Sequence, residues 1–224
     1  ADLPARVDAP APAPVVFDSY HPWMIRVRAV GVLPQGAGGS VSTAAGVIPG
    51  AQLKVSNSVV PEVDISYFFT KNIAVEAICC LTPHNVNAAG TIAPLGKLGS
   101  TWVFPPTVLL QYHFTGLGAL KPYIGVGANY THYFRDTNGP NFTGLRVRDS
   151  WGVAGQVGVD YMLTDNWGIN LDVKKIMMEP NARVTLLPGG PVPLTAKAKI
   201  NPWVVGVGVT YRFGGGAGAV VAKY

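Results

Sequence analysis

From Trp23 onward the chain alternates. Apolar side chains take every second position over stretches of about ten to thirteen residues, which is the period of a β-strand with two unlike faces. The pattern predicts strands near 23–33, 58–70, 73–81, 103–114, 121–134, 150–162, 167–178 and 200–213. Short links at 70–72, 115–120 and 163–166 alternate with long polar loops at 34–57, 82–102, 135–149 and 179–199. Eight strands joined by short and long connections in turn predict an all-β fold, an eight-stranded antiparallel up-and-down transmembrane β-barrel with short periplasmic turns and long external loops. Eleven strand residues rise about 36 Å, or about 28 Å upright at a roughly 40° tilt, enough to cross an apolar band of about 25 Å.

The two faces say which side meets lipid. In the last strand Trp203, Val205, Val207, Val209, Tyr211 and Phe213 share a face, against Val204, Gly206, Gly208, Thr210 and Arg212. In the first, Trp23, Ile25 and Val27 oppose Arg26 and Arg28; in the second, Val63, Ile65 and Tyr67 oppose Glu62 and Asp64. Glu76, Asp160, Asp172 and Lys174 oppose the apolar faces of the third, sixth and seventh strands. Alternation alone also fits a soluble sandwich with core aromatics. The placement of aromatics favours the membrane wall, because they collect at both ends of the apolar face: Trp23, Trp167 and Phe213 among those near the short turns, Phe104, Phe134, Trp151 and Trp203 among those near the long loops. Two aromatic girdles bracketing an aliphatic band are the mark of lipid-interface anchoring.

The inward face changes character with height. Its lower half carries Arg26, Arg28, Lys174 and Arg212 against Glu62, Asp64, Glu76, Asp160 and Asp172. Unpaired buried charge is costly, so these residues are expected to pair into a polar plug that fills the narrow lumen. Toward the loops the same face offers Val30, Val32, Val60, Ile78, Ile176, Met178 and Val204. That apolar upper lumen is the candidate ligand site, since barrel mouths favour guests and an apolar cavity holds water poorly. Pro61, Pro105, Pro106 and Pro202 fall in loop-side halves of strands and cannot donate to a ladder, so a weakened wall with sideways exit of a guest is expected there.

Composition narrows the alternatives. The chain has 224 residues, 48% apolar and 13% charged, which excludes a disordered chain. With 27 Gly and 19 Pro it is no helical bundle. The uncharged run 98–120 holds Pro105-Pro106 in its middle and reads as strand rather than spanning helix. Residues 1–22 read as a Pro-rich, periplasmic, poorly ordered lead-in, 23–213 as the barrel and 214–224 as a Gly-rich tail. The opening Ala-Asp-Leu-Pro fits a mature start after small-residue cleavage. Cys79 and Cys80 point to opposite faces and read as wall residues rather than a disulfide. The four histidines lack metal-ligand spacing and no triad is placed, so neither a metal, a cofactor nor an enzyme is expected. Lys54, Lys97, Arg135, Arg146, Arg148, Arg183, Lys197 and Lys199 crowd the loops against Asp136, Asp149 and Glu179, close to the whole net charge of +5. A basic outer rim suits lipopolysaccharide phosphates; without a stacking platform or nucleic-acid fold it does not argue for nucleic acid.

Several motifs carry a family resemblance: Pro105-Pro106-Thr107, Lys121-Pro122-Tyr123-Ile124-Gly125, Asn129-Tyr130-Thr131, Asp149-Ser150-Trp151-Gly152 with Ala154-Gly155-Gln156-Val157-Gly158-Val159-Asp160-Tyr161, and Pro202-Trp203 through Tyr211-Arg212-Phe213. Over 23–213 the chain resembles the OmpW family of outer-membrane barrels. The resemblance implies a monomeric eight-stranded barrel in the bacterial outer membrane, contacts with membrane lipid and the barrel assembly machinery, and passage of small hydrophobic compounds. It also implies an apolar constriction on the third and seventh strands; Ile78 fits, whereas the seventh strand offers Lys174. The family pattern ends at a terminal aromatic, but here Phe213 is followed by a tail ending Val220-Val221-Ala222-Lys223-Tyr224, so the assembly signal is expected either at Tyr211-Arg212-Phe213 or at that tail. The alternative function is a sealed structural or adhesive barrel acting through its external loops.

Overall fold

The computed structural model describes residues 20–215; the expectations for most of the lead-in and for the tail ending at Tyr224 lie outside them. Its strands are β1 (Trp23–Leu33), β2 (Ala37–Gly38), β3 (Ser40–Thr43), β4 (Gly46–Val47), β5 (Ala51–Val55), β6 (Ser58–Phe68), β7 (Ile73–Cys80), β8 (Thr82–Gly90), β9 (Lys97–Phe104), β10 (Thr107–His113), β11 (Leu120–Asn138), β12 (Phe142–Val147), β13 (Ser150–Met162), β14 (Trp167–Met177), β15 (Asn181–Leu186), β16 (Val192–Lys197) and β17 (Trp203–Phe213). Eight of them, in the order β1–β6–β7–β10–β11–β13–β14–β17, pair antiparallel and close on β1. The register is set by which face is apolar. Arg26 lies level with Asp64 and Arg28 with Glu62 across β1 and β6, so a one-residue slip would drive charge into lipid.

Apolar side chains cover the outside. Val207 is 60% exposed and Val157 55%, whereas Arg26, Glu76, Asp160 and Asp172 are fully buried. A soluble fold reverses that distribution, and no helix among the described residues is long and apolar enough to cross a membrane, so the strands do the crossing. Near the short turns Trp23 packs edge-on against Tyr67 with centroids 4.8 Å apart, and Trp167 tilts on Tyr211 at 4.6 Å. At the other rim Tyr130 meets Trp151 at 4.9 Å. Phe104 and Phe134 stand elsewhere than expected. They belong to β9 and the upper reach of β11, above the closed barrel, because Pro105-Pro106 end one strand and begin another where 103–114 reads as continuous.

The long connections are the larger correction. They are folded rather than loose. The upper part of β11 pairs with β9, β9 with β8, β8 with β5 and β5 with β2; separately β12–β15–β16–β3–β4 form a five-stranded sheet. Val41, Leu53, Val86, Leu98, Phe142, Leu145, Val184 and Leu194 pack between them as one buried cluster. The result is a head above the barrel with an apolar core of its own. At the opposite end the last residues of the expected lead-in are docked: the Tyr20 hydroxyl donates to the Phe68 carbonyl at 2.5 Å, and the Phe68 N–H donates to Pro22 O at 2.7 Å.

Candidate functional site

The lower lumen is a closed ionic web. Arg26 reaches from β1 across the barrel: its Nε and Nη2 donate to Asp160 at 3.1 and 2.6 Å, and its Nη1 to Glu76 at 2.6 Å. Arg28 donates to Asp64 and to Asn170 (3.0 Å), and its guanidinium stands 3.1 Å from Glu62 and 3.3 Å from Asp172. Lys174 bridges Glu62 at 2.8 Å and Asp172 at 2.7 Å. Neutral side chains complete the net. Gln111 and Gln156 both donate to Glu76, Tyr123 donates to Asp172 at 2.8 Å, and Thr210 to Asp160 at 2.7 Å. Burying this much charge is tolerable because every ion of the web except Asp64, which has Arg28 alone, meets more than one partner. Of the nine expected plug residues eight sit in this web. Arg212 does not; it is half-buried with its guanidinium 5.0 Å over the Phe68 ring.

Tyr123 went unnoticed as a lumen residue. It points inward and is 1% exposed, between the Arg26 guanidinium 4.5 Å from its ring centre and the stacked His113 ring at 4.9 Å. Gly158 lies level with it on β13, and a Cβ there would fall 2.4 Å from the phenol tip. The small residue on one strand thus makes room for the large one on the next. His113 itself is buried, its Nε2 3.0 Å from Gln111 Oε1, so it is a member of the plug rather than of an open cleft.

Above the web the lumen turns apolar. All seven expected residues, Val30, Val32, Val60, Ile78, Ile176, Met178 and Val204, are buried in one cluster, to which Leu109 and Ala154 add. Five of them (Val32, Ile78, Ile176, Met178 and Val204) line a cavity of about 70 Å³; Val30 and Val60 pack behind it. Sequence reasoning missed much of the remaining lining: Pro34, Val55, His84, Val103, Tyr133 and Ile200 come from the head and from strand ends that the folded connections carry inward. Glu62 and Lys174 form its floor, so where the resemblance implies an apolar pinch on the seventh strand this chain has a buried ion pair. A site of this size and lining accommodates several waters or one small apolar group, and favours the latter.

One side of the cavity wall is unlaced. The β6–β7 ladder ends at Glu62–Cys80, and β8 then leans away to pair with β9 and β5. Backbone hydrogen bonding to β8 resumes at Ser56, whose N–H donates to Asn85 O at 3.0 Å and whose carbonyl lies 2.8 Å from His84 Nδ1. Pro61 lies in the gap with no N–H to offer, and Cys80, Thr82, His84 and Val55 line the cavity on this flank. The other prolines do not open the wall: Tyr130 N–H donates to Pro106 O at 3.0 Å and Ile176 N–H to Pro202 O at 3.1 Å, so their carbonyls keep the strands joined.

His84 clips the gap at its upper end. Burial holds its imidazole below the ordinary histidine range, so it is neutral in the fold. A folded-state value below the unfolded one means that the unfolded form takes up the proton first, and the clip loses stability as pH falls below about 6.5. Amide exchange at Ser56 and Asn85 is therefore expected to speed up at pH 5 relative to pH 7.5, and His84→Gln is expected to remove the difference. Equal exchange at both pH values would exclude His84 as the clip.

The fold has counterparts. A family model described as the OmpW family matches residues 22–213. An outer-membrane protein y4mB of Sinorhizobium fredii is 45% identical over 93% of this chain and 89% of its own length. Outer membrane protein AlkL of Ectopseudomonas oleovorans is 32% identical over 78% of this chain and 75% of its own. Among solved structures, outer membrane protein OprG from Pseudomonas aeruginosa superposes with a TM-score of 0.79 at 27% identity, covering 87% of this chain and 97% of that one.

Proposed function

The chain belongs to the OmpW family and is an outer-membrane β-barrel, and from that premise we propose that it passes small hydrophobic molecules from outside into the membrane without chemical change. The observation that carries this reading is the stacking of two unlike halves in one lumen. An apolar cavity lies on the head side, and the ionic web directly beneath it fills the axis. A guest that is stable in the first half is expelled by the second, because displacing paired ions into an apolar neighbour costs several kcal/mol. The unlaced flank between β6 and β8 supplies the remaining route, sideways into lipid.

Val204→Asp and Ile78→Asp test the cavity. Each places a carboxylate among apolar lining, and uptake of a small apolar fluorophore into vesicles carrying the barrel is expected to fall about tenfold or more, given that a buried charge costs several kcal/mol. Heat-modifiable migration on gels reports that the barrel survives. Unchanged uptake by folded variants would favour the other reading, a sealed barrel whose work is done outside, for which the folded head is the supporting observation.

A further inference from the structure

The head has a second concave site, and it is basic. Where the upper part of β11 meets β12, the edges of the two head sheets do not pair through their backbones. Side chains join them instead: Asp136 accepts from Val147 N–H at 3.0 Å and Asn138 from Leu145 N–H at 2.9 Å. The seam leaves a groove of about 500 Å³ lined by Arg135, Arg146, Arg148 and Arg183, with Asp136 the one carboxylate in it. Arg146 and Arg183 stand level on neighbouring strands, both exposed. Like charges so placed repel, and a sheet ordinarily answers them with a carboxylate. Here the carboxylates are occupied elsewhere. Asp136 holds the seam; Asp149 accepts from Tyr130 at 2.5 Å and from Tyr133 N–H at 3.2 Å and lies 2.9 Å from His132 Nδ1; Glu179 pairs with Lys197 at 2.8 Å. Hydrogen bonds from Tyr130 and His132 hold the Asp149 carboxyl below the usual range, which keeps it committed to them. Among the described residues none of the four arginines forms an ion pair.

The height of the groove selects its ligand. Arg148 lies just before Trp151, which is 73% exposed in the upper girdle, and the lipid-facing rung Val153–Met177 lies immediately below. Cations at this level meet the groups that sit directly above the acyl chains of the outer leaflet. We propose that the arginine-lined seam between β11 and β12 binds the phosphate groups of lipopolysaccharide, with the acyl chains lying along the Trp151–Val153–Met177 wall. Guanidinium groups suit this role, because each offers paired donors to phosphate oxygens. The site is separate from the lumen cavity, so its failure and the failure of the passage reading are distinguishable: the first changes lipid binding with uptake intact, the second the reverse.

The test measures binding of the intact barrel in detergent to three probes: lipopolysaccharide, the same material with its phosphates removed, and its delipidated phosphorylated core sugar. Arg146→Gln/Arg183→Gln and Arg135→Gln/Arg148→Gln are each expected to weaken lipopolysaccharide binding about tenfold or more, from the loss of charge-assisted bonds. Lys54→Gln/Lys199→Gln removes the same charge elsewhere on the head and is expected to change binding less than about twofold, as exposed charges acting at a distance do. Dephosphorylated lipopolysaccharide is expected to bind as weakly as the arginine variants do. Three outcomes overturn the proposal: equal losses from the lysine control, unaltered binding after dephosphorylation, or core sugar binding as tightly as the intact lipid, which would make the site one for a soluble phosphorylated sugar. Heat-modifiable migration shows that each variant is folded.

Discussion

Replacing Arg26 by methionine is expected to lower the stability of the barrel by roughly 3–5 kcal/mol, the usual cost of leaving a buried ion without its partner. Methionine keeps most of the apolar stem, so what is removed is the guanidinium with its charge and donors. Three hydrogen bonds vanish, two to Asp160 and one to Glu76, and both carboxylates stay fully enclosed. Asp160 retains Thr210 and Asn170, and Glu76 retains Gln111 and Gln156, all four neutral donors; the cation left beside them is Arg28, 3.6 Å from Glu76 and already shared with Glu62, Asp64 and Asp172. The contact of the guanidinium with the Tyr123 ring is lost as well. Urea unfolding of the barrel in lipid vesicles, followed by tryptophan fluorescence, reads the effect as a lower midpoint. The triple variant Arg26→Met/Glu76→Gln/Asp160→Asn removes the stranded charges along with the cation and is expected to recover most of the loss, since neutral replacements of a buried ion set are frequently tolerated. A single variant as stable as the parent would show that the lower lumen admits water, and would remove the barrier on which sideways exit depends.

How far the sequence discloses this molecule follows from how local each feature is. The wall is local: Val205, Val207 and Val209 face out because their neighbours Gly206 and Gly208 cannot, and period-two alternation needs no knowledge of partners. The plug is nearly as legible, because a charge such as Arg26 or Asp172 inside an apolar strand has only one tolerable direction. Tyr123 is different. Either neighbour of the pair Tyr123-Ile124 suits lipid, and what turns the phenol inward is Gly158 on another strand, a fact about register. The head was hidden for a related reason. Ala182-Arg183-Val184-Thr185-Leu186 alternates as plainly as the wall does, yet it is short and lies between Pro180 and Pro188 with glycines beyond, which is loop composition. Burying Val184 requires Leu53, Val86 and Leu98 from two other connections, and no single segment announces that assembly. The gap beside Pro61 was legible only in part: proline marks four positions that cannot donate to a ladder, and the course of β8 decides that the ladder fails at one of them.

A cross-link across that gap is expected to abolish passage while leaving the cavity intact. The β6–β7 register, in which Glu62 lies level with Cys80, places Val60 opposite Thr82 if the ladder were continued, and both side chains are buried toward the lumen. In a Cys79→Ser/Cys80→Ala background, needed because both native cysteines are free, Val60→Cys/Thr82→Cys offers two thiols on the two sides of the opening. A short bis-thiol reagent that joins them ties β6 to β8 without filling the space between Ile78 and Val204. Uptake of the apolar fluorophore is expected to fall to that of vesicles without the barrel, and each single-cysteine variant treated with the same reagent is expected to keep most of its rate. Binding of the fluorophore, read from its emission in the absence of a gradient, is expected to persist, because the head-side lining of the cavity at Pro34, Val103 and Tyr133 is untouched. The separation of binding from passage is the informative result: a closed flank that stops both would mean that the guest arrives through the same opening by which it leaves, and a closed flank that stops neither would place the route down the axis, through the ions that Arg26 and Lys174 hold together.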